Sequence, residues 1–400
     1  MRLRSPTMLS LLVFAGSGAA FALANLLLAR ALPESEYALF TLVLALMHLG
    51  SPLAGVGLDG VAVRGGLDAS LPVLGRVLLA ASVIALGLGA AAAAGYGIGV
   101  EAIGTVMLST MAGGAMVVAA AELQRRQRFG TSLLVMQIPN MVLLLAAVLV
   151  MVMEGKAALP PLALATTGFV AAALAGWTLV LRGPSPRVVR EIPWREAFSL
   201  GATNASGLLL GQLDRLIIPY LLPLSALATY GALSAVVGSL FRVLQRGVGY
   251  ALLPRLRAAE TIRERRRLVA QEVRMVGAVV VIGSLAIWLV IPAVEHWVLA
   301  DRYRFSDSLV LAALVAGWAK LLTAFSKATV TALADDRQLA LVNLSGWASV
   351  ALSVVGAVAG ARWGLTGVIY GVSLGWLARS VAALAITFRH LHPAVRPDAG

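Results

Sequence analysis

The chain contains no cysteine, and only 13% of its 400 residues are charged. The absence of cysteine excludes disulfides, thiolate metal sites and cysteine nucleophiles. Four scattered histidines argue against a histidine-based metal site. No G-x-x-x-x-G-K-[ST] phosphate loop and no nucleophile with a paired base occur, so we expect neither an enzyme nor a bound cofactor.

Apolar residues are abundant instead. They make up 60% of the chain, and the mean hydropathy is +0.88, whereas a soluble domain has about 45–50% apolar and about 25% charged residues. Apolar runs bounded by charged or turn residues predict twelve membrane-spanning helices, and barrel-type alternation is absent. The predicted fold class is therefore an all-α polytopic membrane protein. The predicted helices cover 8–29, 37–62, 72–99, 102–122, 131–153, 160–181, 197–222, 226–252, 273–298, 307–331, 339–360 and 363–387.

The net charge of +13 would suggest a nucleic-acid partner in a soluble protein. Here 21 of the 32 Lys and Arg residues lie at the two ends of the chain and in the even-numbered loops, five lie in the odd-numbered loops, and six lie within the helices. This asymmetry predicts that both termini are cytoplasmic. The longest basic stretch, 255–274, lies between predicted helices eight and nine. We expect the basic loops to contact anionic lipids, and we expect no nucleic-acid partner.

A weak internal repeat indicates how the helices are grouped. Leu32-Pro33-Glu34-Ser35 precedes Tyr37, and Leu222-Pro223-Leu224-Ser225 precedes Tyr230, about half a chain later. Two halves of six helices would enter the membrane from the same side, as parallel repeats do. The predicted domains are an N-terminal six-helix lobe at 1–182, a cytoplasmic linker at 183–196, a C-terminal six-helix lobe at 197–388 and a cytoplasmic tail at 389–400.

Ionisable side chains inside the membrane mark candidate functional positions, because each costs several kcal/mol to insert. The bases are Arg215 in predicted helix seven, Arg242 in helix eight, and Lys320 and Lys327 on one face of helix ten. Together they outnumber the intramembrane acids, Asp59 and Asp214. This surplus predicts a water-filled cationic cavity whose ligand is an anion.

Polar residues near these bases are candidates for the cavity wall or for coupling to an ion gradient. They are His48, Asp59, Asn204 and Asp214. Each also has a structural interpretation, since Asp214 and Arg215 could belong to a local ion-pair network. His48 could be a hydrogen-bonded interior residue. Pro52 is placed to bend predicted helix two.

Short segments resemble a known family. Residues 26–32 (LLLARAL), 36–40 (EYALF) and 55–59 (GVGLD) resemble the opening of the polysaccharide flippases of the Wzx type. These belong to the multidrug/oligosaccharidyl-lipid/polysaccharide exporter (MOP) superfamily. The start of that family's second half resembles residues 212–218 (QLDRLII), 230–231 (YG) and 253–256 (LPRL).

The resemblance implies a V-shaped pair of six-helix lobes around a cavity that opens alternately to each side. Such proteins move undecaprenyl-diphosphate-linked oligosaccharides across the bacterial inner membrane for surface polysaccharide synthesis, including lipopolysaccharide. It also implies a polysaccharide polymerase and a chain-length regulator as partners. Arg215 and Arg242 match cavity positions of the family, whereas Lys320 and Lys327 are chosen by depth and helical phase alone.

Four other functions are weighed against this one. A multidrug antiporter of the same superfamily would need acidic cavity residues, and predicted helix one has none. Peptidoglycan-precursor flippases have fourteen spans rather than twelve. A major-facilitator transporter would carry G-x-x-x-D-R-x-G-R-R near 59–66, and a membrane ligase or polymerase would carry a large periplasmic loop. Neither feature is present.

Overall fold

A computed structural model describes residues 6–64, 67, 70–183, 192–258, 261–333 and 336–391. These residues form thirteen α-helices, a π-helical turn at Val294–Val298, a 3-10 turn at Ala361–Trp363, and no strand. The helices are α1 Pro6–Ala31, α2 Glu34–Leu53, α3 Leu58–Val63, α4 Leu71–Tyr96, α5 Val100–Arg125, α6 Phe129–Val152, α7 Leu159–Leu181, α8 Trp194–Leu221, α9 Leu224–Ala258, α10 Ile262–Ala293, α11 Asp307–Leu333, α12 Asp336–Gly360 and α13 Gly364–Leu391.

Twelve of these helices are long, and they correspond one to one with the twelve predicted helices. Within the described residues, nine stretches are long and apolar enough to cross a membrane, and one of them contains both α12 and α13. The two long helices outside this set are α1, which has a shorter apolar core, and α8, which carries Asp214 and Arg215. The predicted fold class, an all-α polytopic membrane protein with about twelve spanning helices, is confirmed.

Predicted helix two, 37–62, is divided into α2 and α3. Helix α2 ends one residue after Pro52, whose ring prevents the regular helical hydrogen bond. Val56 and Gly57 then adopt left-handed backbone conformations, with φ of 50° and 77°. His48 and Asp59, which predicted helix 37–62 would carry on one continuous helix, therefore lie on separate helices, and Asp59 is in the first turn of α3.

The basic stretch 255–274 is mostly helical rather than a loop. Helix α9 extends to Ala258, and α10 begins at Ile262, eleven residues before its predicted start. Thr261 caps α10 by accepting a hydrogen bond from the Glu264 N–H (3.2 Å), an N-terminal capping arrangement that the T-x-x-E spacing encodes. Arg and Glu are good helix formers, so the helix continues outside the apolar span that hydropathy detects.

The chain forms two compact units, Met1–Ala235 and Val236–Gly400. The first unit contains α8 and the first turns of α9, because α8 packs on α2 and α3. This division differs from the predicted lobes, 1–182 and 197–388, which stay a prediction together with the linker 183–196. Residues 184–191 of that linker and 392–400 of the predicted tail lie outside the described residues.

In the second unit, α13 packs closely against α11 and α12. Gly356 and Gly360 of α12 face Gly371 and Gly367 of α13, and a Cβ at any of the four would overlap the opposite backbone. Small residues spaced four apart let two membrane helices approach at backbone distance. This packing holds one face of α13 in place and positions the polar residues on its α11 side.

Candidate functional site

A polar cluster lies between α8 and α9 in the first unit. Asp214 is 4% exposed, and the Tyr230 hydroxyl of α9 donates a hydrogen bond to its Oδ2. The Arg215 backbone N–H also donates to Asp214 Oδ1 (2.9 Å). Burying a carboxylate in a membrane helix costs free energy unless hydrogen-bond donors compensate it. The hydrogen bond from Tyr230 therefore helps to stabilise the buried Asp214 carboxylate.

The Arg215 side chain in the same cluster contacts neutral acceptors. Its Nη1 donates to Gln212 Oε1 (3.1 Å) and its Nη2 to Ser234 Oγ of α9 (3.0 Å), while the buried Nε has no hydrogen-bond partner among the described residues. Asp214 and Arg215 thus reach different residues of α9, one turn apart. Neutral acceptors orient a guanidinium without cancelling its charge, so Arg215 can still attract an anion.

The other three predicted bases lie in the second unit. Arg242 of α9 and Lys320 of α11 are half-buried, and Lys327 of α11 is exposed. The Lys320 Nζ lies 5.9 Å from the centre of the Trp376 ring of α13. Lys327 follows Lys320 by seven residues, two turns later on the same face of α11. The structure therefore places Lys320 and Lys327 together on the α13 side of α11, and it places Arg215 in the other unit.

Sequence reasoning missed two residues of this second set. Arg379 is one of the six bases counted inside the predicted helices, but it was given no role, and Trp376 was not considered. Their spacing of three residues is the signal that could have found them, because it puts both on one face of α13. Tyr230 was noted only as part of the repeat, not as a partner of Asp214.

The remaining predicted residues have separate surroundings. His48 of α2 is half-buried between Phe21 of α1 and Phe169 of α7, with ring centroids 5.4 and 6.5 Å away. Asp59 lies at the start of α3, where the helix dipole favours a negative charge. Asn204 is exposed on α8. The structure thus joins Asp214 to the Arg215 cluster and places His48 among aromatic rings.

Two further acids are buried within helices. Glu122 of α5 has a fully buried side chain that accepts hydrogen bonds from Arg125 and Arg126, and Glu272 of α10 is 6% exposed. The sequence placed Glu122 at a helix end and Glu272 in a loop. Both lie inside helices because α5 and α10 are longer than the apolar spans. Glu122 neutralises bases that were assigned to a loop, so it leaves the surplus of deeper bases unchanged.

Comparisons with known proteins bear on the fold. No protein-family model matches the chain, and no curated protein matches it in sequence. It is similar in structure to an inward-facing multidrug resistance MATE family transporter of the MOP superfamily, with a TM-score of 0.68, 12% identity, and coverage of 96% of this chain and 98% of that one. It is also similar to the lipid II flippase MurJ in an inward closed conformation, with a TM-score of 0.69, 11% identity, and coverage of 94% and 87%.

An outward-facing MATE family transporter is a third similar structure, with a TM-score of 0.60, 14% identity and 97% coverage of both chains. The chain therefore shares its fold with these three membrane proteins over nearly its full length. At these identities the similarity extends to the fold and not to a substrate. The resemblance to the Wzx-type polysaccharide flippases stays a prediction.

Proposed function

We propose that this protein is a flippase that moves an undecaprenyl-diphosphate-linked oligosaccharide across the bacterial inner membrane for surface polysaccharide synthesis. The observation that carries the proposal is the surplus of bases within the membrane helices. Arg215 donates hydrogen bonds to neutral acceptors, and Lys320 and Lys327 share one side of α11. A diphosphate needs several positively charged donors, which a neutral or acidic path would not supply.

The proposed mechanism is alternating access. Arg215, Arg242, Lys320 and Lys327 hold the diphosphate, the glycan follows an aqueous path, and the lipid tail remains in the bilayer. Because the chain has no phosphate loop, the driving force is a membrane potential, an ion gradient or consumption of the product. His48, Asp59, Asn204 and Asp214 are the polar residues that we assign to the path or to coupling. A polymerase and a chain-length regulator would act on the product.

The fold supports this proposal at a coarser level. Both a multidrug transporter and a lipid II flippase share it, so a transporter rather than an enzyme is the consistent assignment. The positive-inside asymmetry supports cytoplasmic termini and basic loops against anionic lipids. Export of a small molecule by a multidrug-type mechanism is the second candidate, since the TM-scores of 0.68 and 0.69 do not separate the two kinds of neighbour.

Reconstitution tests the proposal. The purified protein, in proteoliposomes with a fluorescent undecaprenyl-diphosphate oligosaccharide, should expose the glycan to an added quencher faster than empty liposomes do. Replacing Arg215, Arg242 and Lys320 together by Ala should abolish this exposure, because the diphosphate loses its charged donors. The matched control replaces Arg302, Arg304 and Arg362 by Ala, which removes the same charge from loops and should leave the rate unchanged.

The outcomes separate the candidates. Equal rates in the two triple variants would contradict the cationic path. Efflux of an organic cation dye by proteoliposomes that do not move the lipid-linked glycan would favour the multidrug-type function instead. In cells, loss of surface polysaccharide with normal membrane insertion is the expected phenotype of the Arg215, Arg242 and Lys320 variant.

A further inference from the structure

A second group of polar residues lies between α11 and α13, within the second unit. Thr323 Oγ1 of α11 lies 2.7 Å from Ser380 Oγ and 3.1 Å from the Trp376 carbonyl oxygen, both of α13. These bonds fix the register of the two helices. Lys320 lies one turn before Thr323 on α11, Lys327 lies one turn after it, and Arg379 lies one turn after Trp376 on α13.

Two donors of this group have no acceptor. Arg379 is 8% exposed and Trp376 is 9% exposed, and the Arg379 Nη1 and Trp376 Nε1 atoms are buried without a hydrogen-bond partner among the described residues. A buried donor left without an acceptor is costly, and the cost is larger for a charged group. Buried polar groups are nearly always satisfied, so two orphan N–H donors on one helix face indicate a missing acceptor.

The charges of the group specify that acceptor. Lys320 and Lys327 are seven residues apart and so lie on one face of α11, and the Lys320 ammonium lies 5.9 Å from the Trp376 ring centre. Two lysines of α11 thus lie on the side of the two orphan donors, and the Arg379 guanidinium, which carries one of these donors, is a third base. A single oxyanion would accept from the donors and reduce the repulsion between the bases. A neutral ligand would satisfy only the donors, and a cation neither.

We propose that Arg379 and Trp376 bind a phosphate-type oxyanion, with Lys320 and Lys327 supplying additional positive charge. Arg379 presents a planar fork of N–H groups that matches two phosphate oxygens, and the Trp376 indole donates a single neutral hydrogen bond. This inference rests on the proposed function, since it names further residues for the anionic group of the same cargo. The oxyanion comes either from a free phosphate compound or from a lipid headgroup.

Equilibrium binding to the full-length protein in phosphatidylcholine nanodiscs tests the proposal. The first probe is radiolabelled inorganic pyrophosphate, which should bind saturably. The second arm adds undecaprenyl diphosphate to the nanodiscs. Displacement of pyrophosphate by small amounts of this lipid assigns the site to a lipid headgroup, whereas binding of pyrophosphate without displacement assigns it to a free phosphate compound.

Two variants remove the donors one at a time. Arg379→Gln should weaken pyrophosphate binding roughly tenfold or more, because a charge-assisted bond is lost, and Trp376→Phe should weaken it roughly fivefold, because a neutral bond is lost. Trp376→Phe removes the N–H donor and keeps an aromatic side chain, so it serves if Arg379→Gln fails to fold. Arg362→Gln and Trp363→Phe are the matched controls, since these exposed residues lie in the 3-10 turn that precedes α13, and both should bind like the wild type.

Either of two results would overturn the site. One is a wild-type protein that binds neither probe saturably. The other is wild-type affinity in both Arg379→Gln and Trp376→Phe. If binding depends on Arg379 but the proteoliposomes move no lipid-linked glycan, the anion site stands and the proposed function fails. If the glycan is moved while both variants bind normally, the proposed function stands and this site fails.

Discussion

Single residues determine where predicted helix two breaks. Gly57 combines a φ of 77° with close packing, since a Cβ there would overlap the Ala197 carbonyl oxygen of α8. Residues with a Cβ are disfavoured in this left-handed region of backbone conformation, whereas glycine adopts it readily. The sequence identified Pro52 as a point of bending. It did not predict the left-handed turn that follows, because the contact with α8 is made by residues 140 positions later.

Gly57→Ala should therefore destabilise the protein twice over. The alanine is strained by the left-handed backbone, and its Cβ also overlaps the Ala197 carbonyl oxygen. Gly97→Ala is the matched control, because Gly97 has a φ of 59° with no atom near its Cβ position. We expect Gly97→Ala to lose about 1–2 kcal/mol of unfolding free energy and Gly57→Ala to lose clearly more. Unfolding by sodium dodecyl sulfate in mixed micelles measures both values, and equal losses would show that the contact with Ala197 carries no energy.

Residue-level reasoning selected the candidate functional positions, and their roles stay predictions. It selected Lys320 and Lys327 by helical phase, and the structure places both on the side of α11 that faces α13. It left open whether Asp214 and Arg215 pair locally, and the structure directs each to its own partner on α9, Tyr230 and Ser234. Helical phase gives the face of a helix but not the partner on the neighbouring helix.

At the scale of elements, helix ends differ most from the predictions. The end of α5 is anchored by Glu122, whose carboxylate accepts from Arg125 (2.6 and 2.8 Å) and from Arg126 (2.7 Å). Arg126 also donates to the Val180 carbonyl oxygen of α7 (2.9 Å). This cluster ties the ends of α5 and α7 together. Hydropathy predicts where an apolar span ends, whereas the helix continues as long as charged residues find partners.

Glu122→Gln should loosen this junction. The half-buried bases Arg125 and Arg126 would lose their counterion, and we expect a loss of about 1–3 kcal/mol of unfolding free energy. Glu196→Gln is the matched control, because Glu196 pairs with Arg64 at 3.2 Å but both side chains are largely exposed. Its loss should stay below about 1 kcal/mol. Thermal unfolding in detergent compares them, and similar losses in both would count against the Glu122 cluster.

At the scale of the whole molecule, the distribution of bases makes a prediction about topology. With both termini in the cytoplasm, the turn after α5 is cytoplasmic and the turn after α6 is extracytoplasmic. Because the chain has no cysteine, a single introduced cysteine reports its own side. Gln127 and Glu154 are exposed in these two turns and have similar left-handed φ values, 61° and 52°.

A membrane-impermeant maleimide should label Glu154→Cys in right-side-out spheroplasts and should label Gln127→Cys only after permeabilisation. Neither change removes a base, so the positive-inside asymmetry is preserved. Labelling of Gln127→Cys alone in sealed spheroplasts would show that the orientation is opposite to the predicted one. Labelling of both would show that the turns lie on the same side, which an odd number of intervening spans does not allow.

The sequence by itself determined the class, the number of long helices and the positions of the intramembrane bases. The length of each apolar run and the distribution of charges are properties of the local sequence. They determine directly which segments span the membrane and in which orientation. The tertiary structure decided the rest. It grouped α8 with α2 and α3, it ended α2 after Pro52, and it brought Arg379 and Trp376 beside the lysines of α11. These outcomes depend on contacts between helices distant in sequence, which no single run of residues encodes.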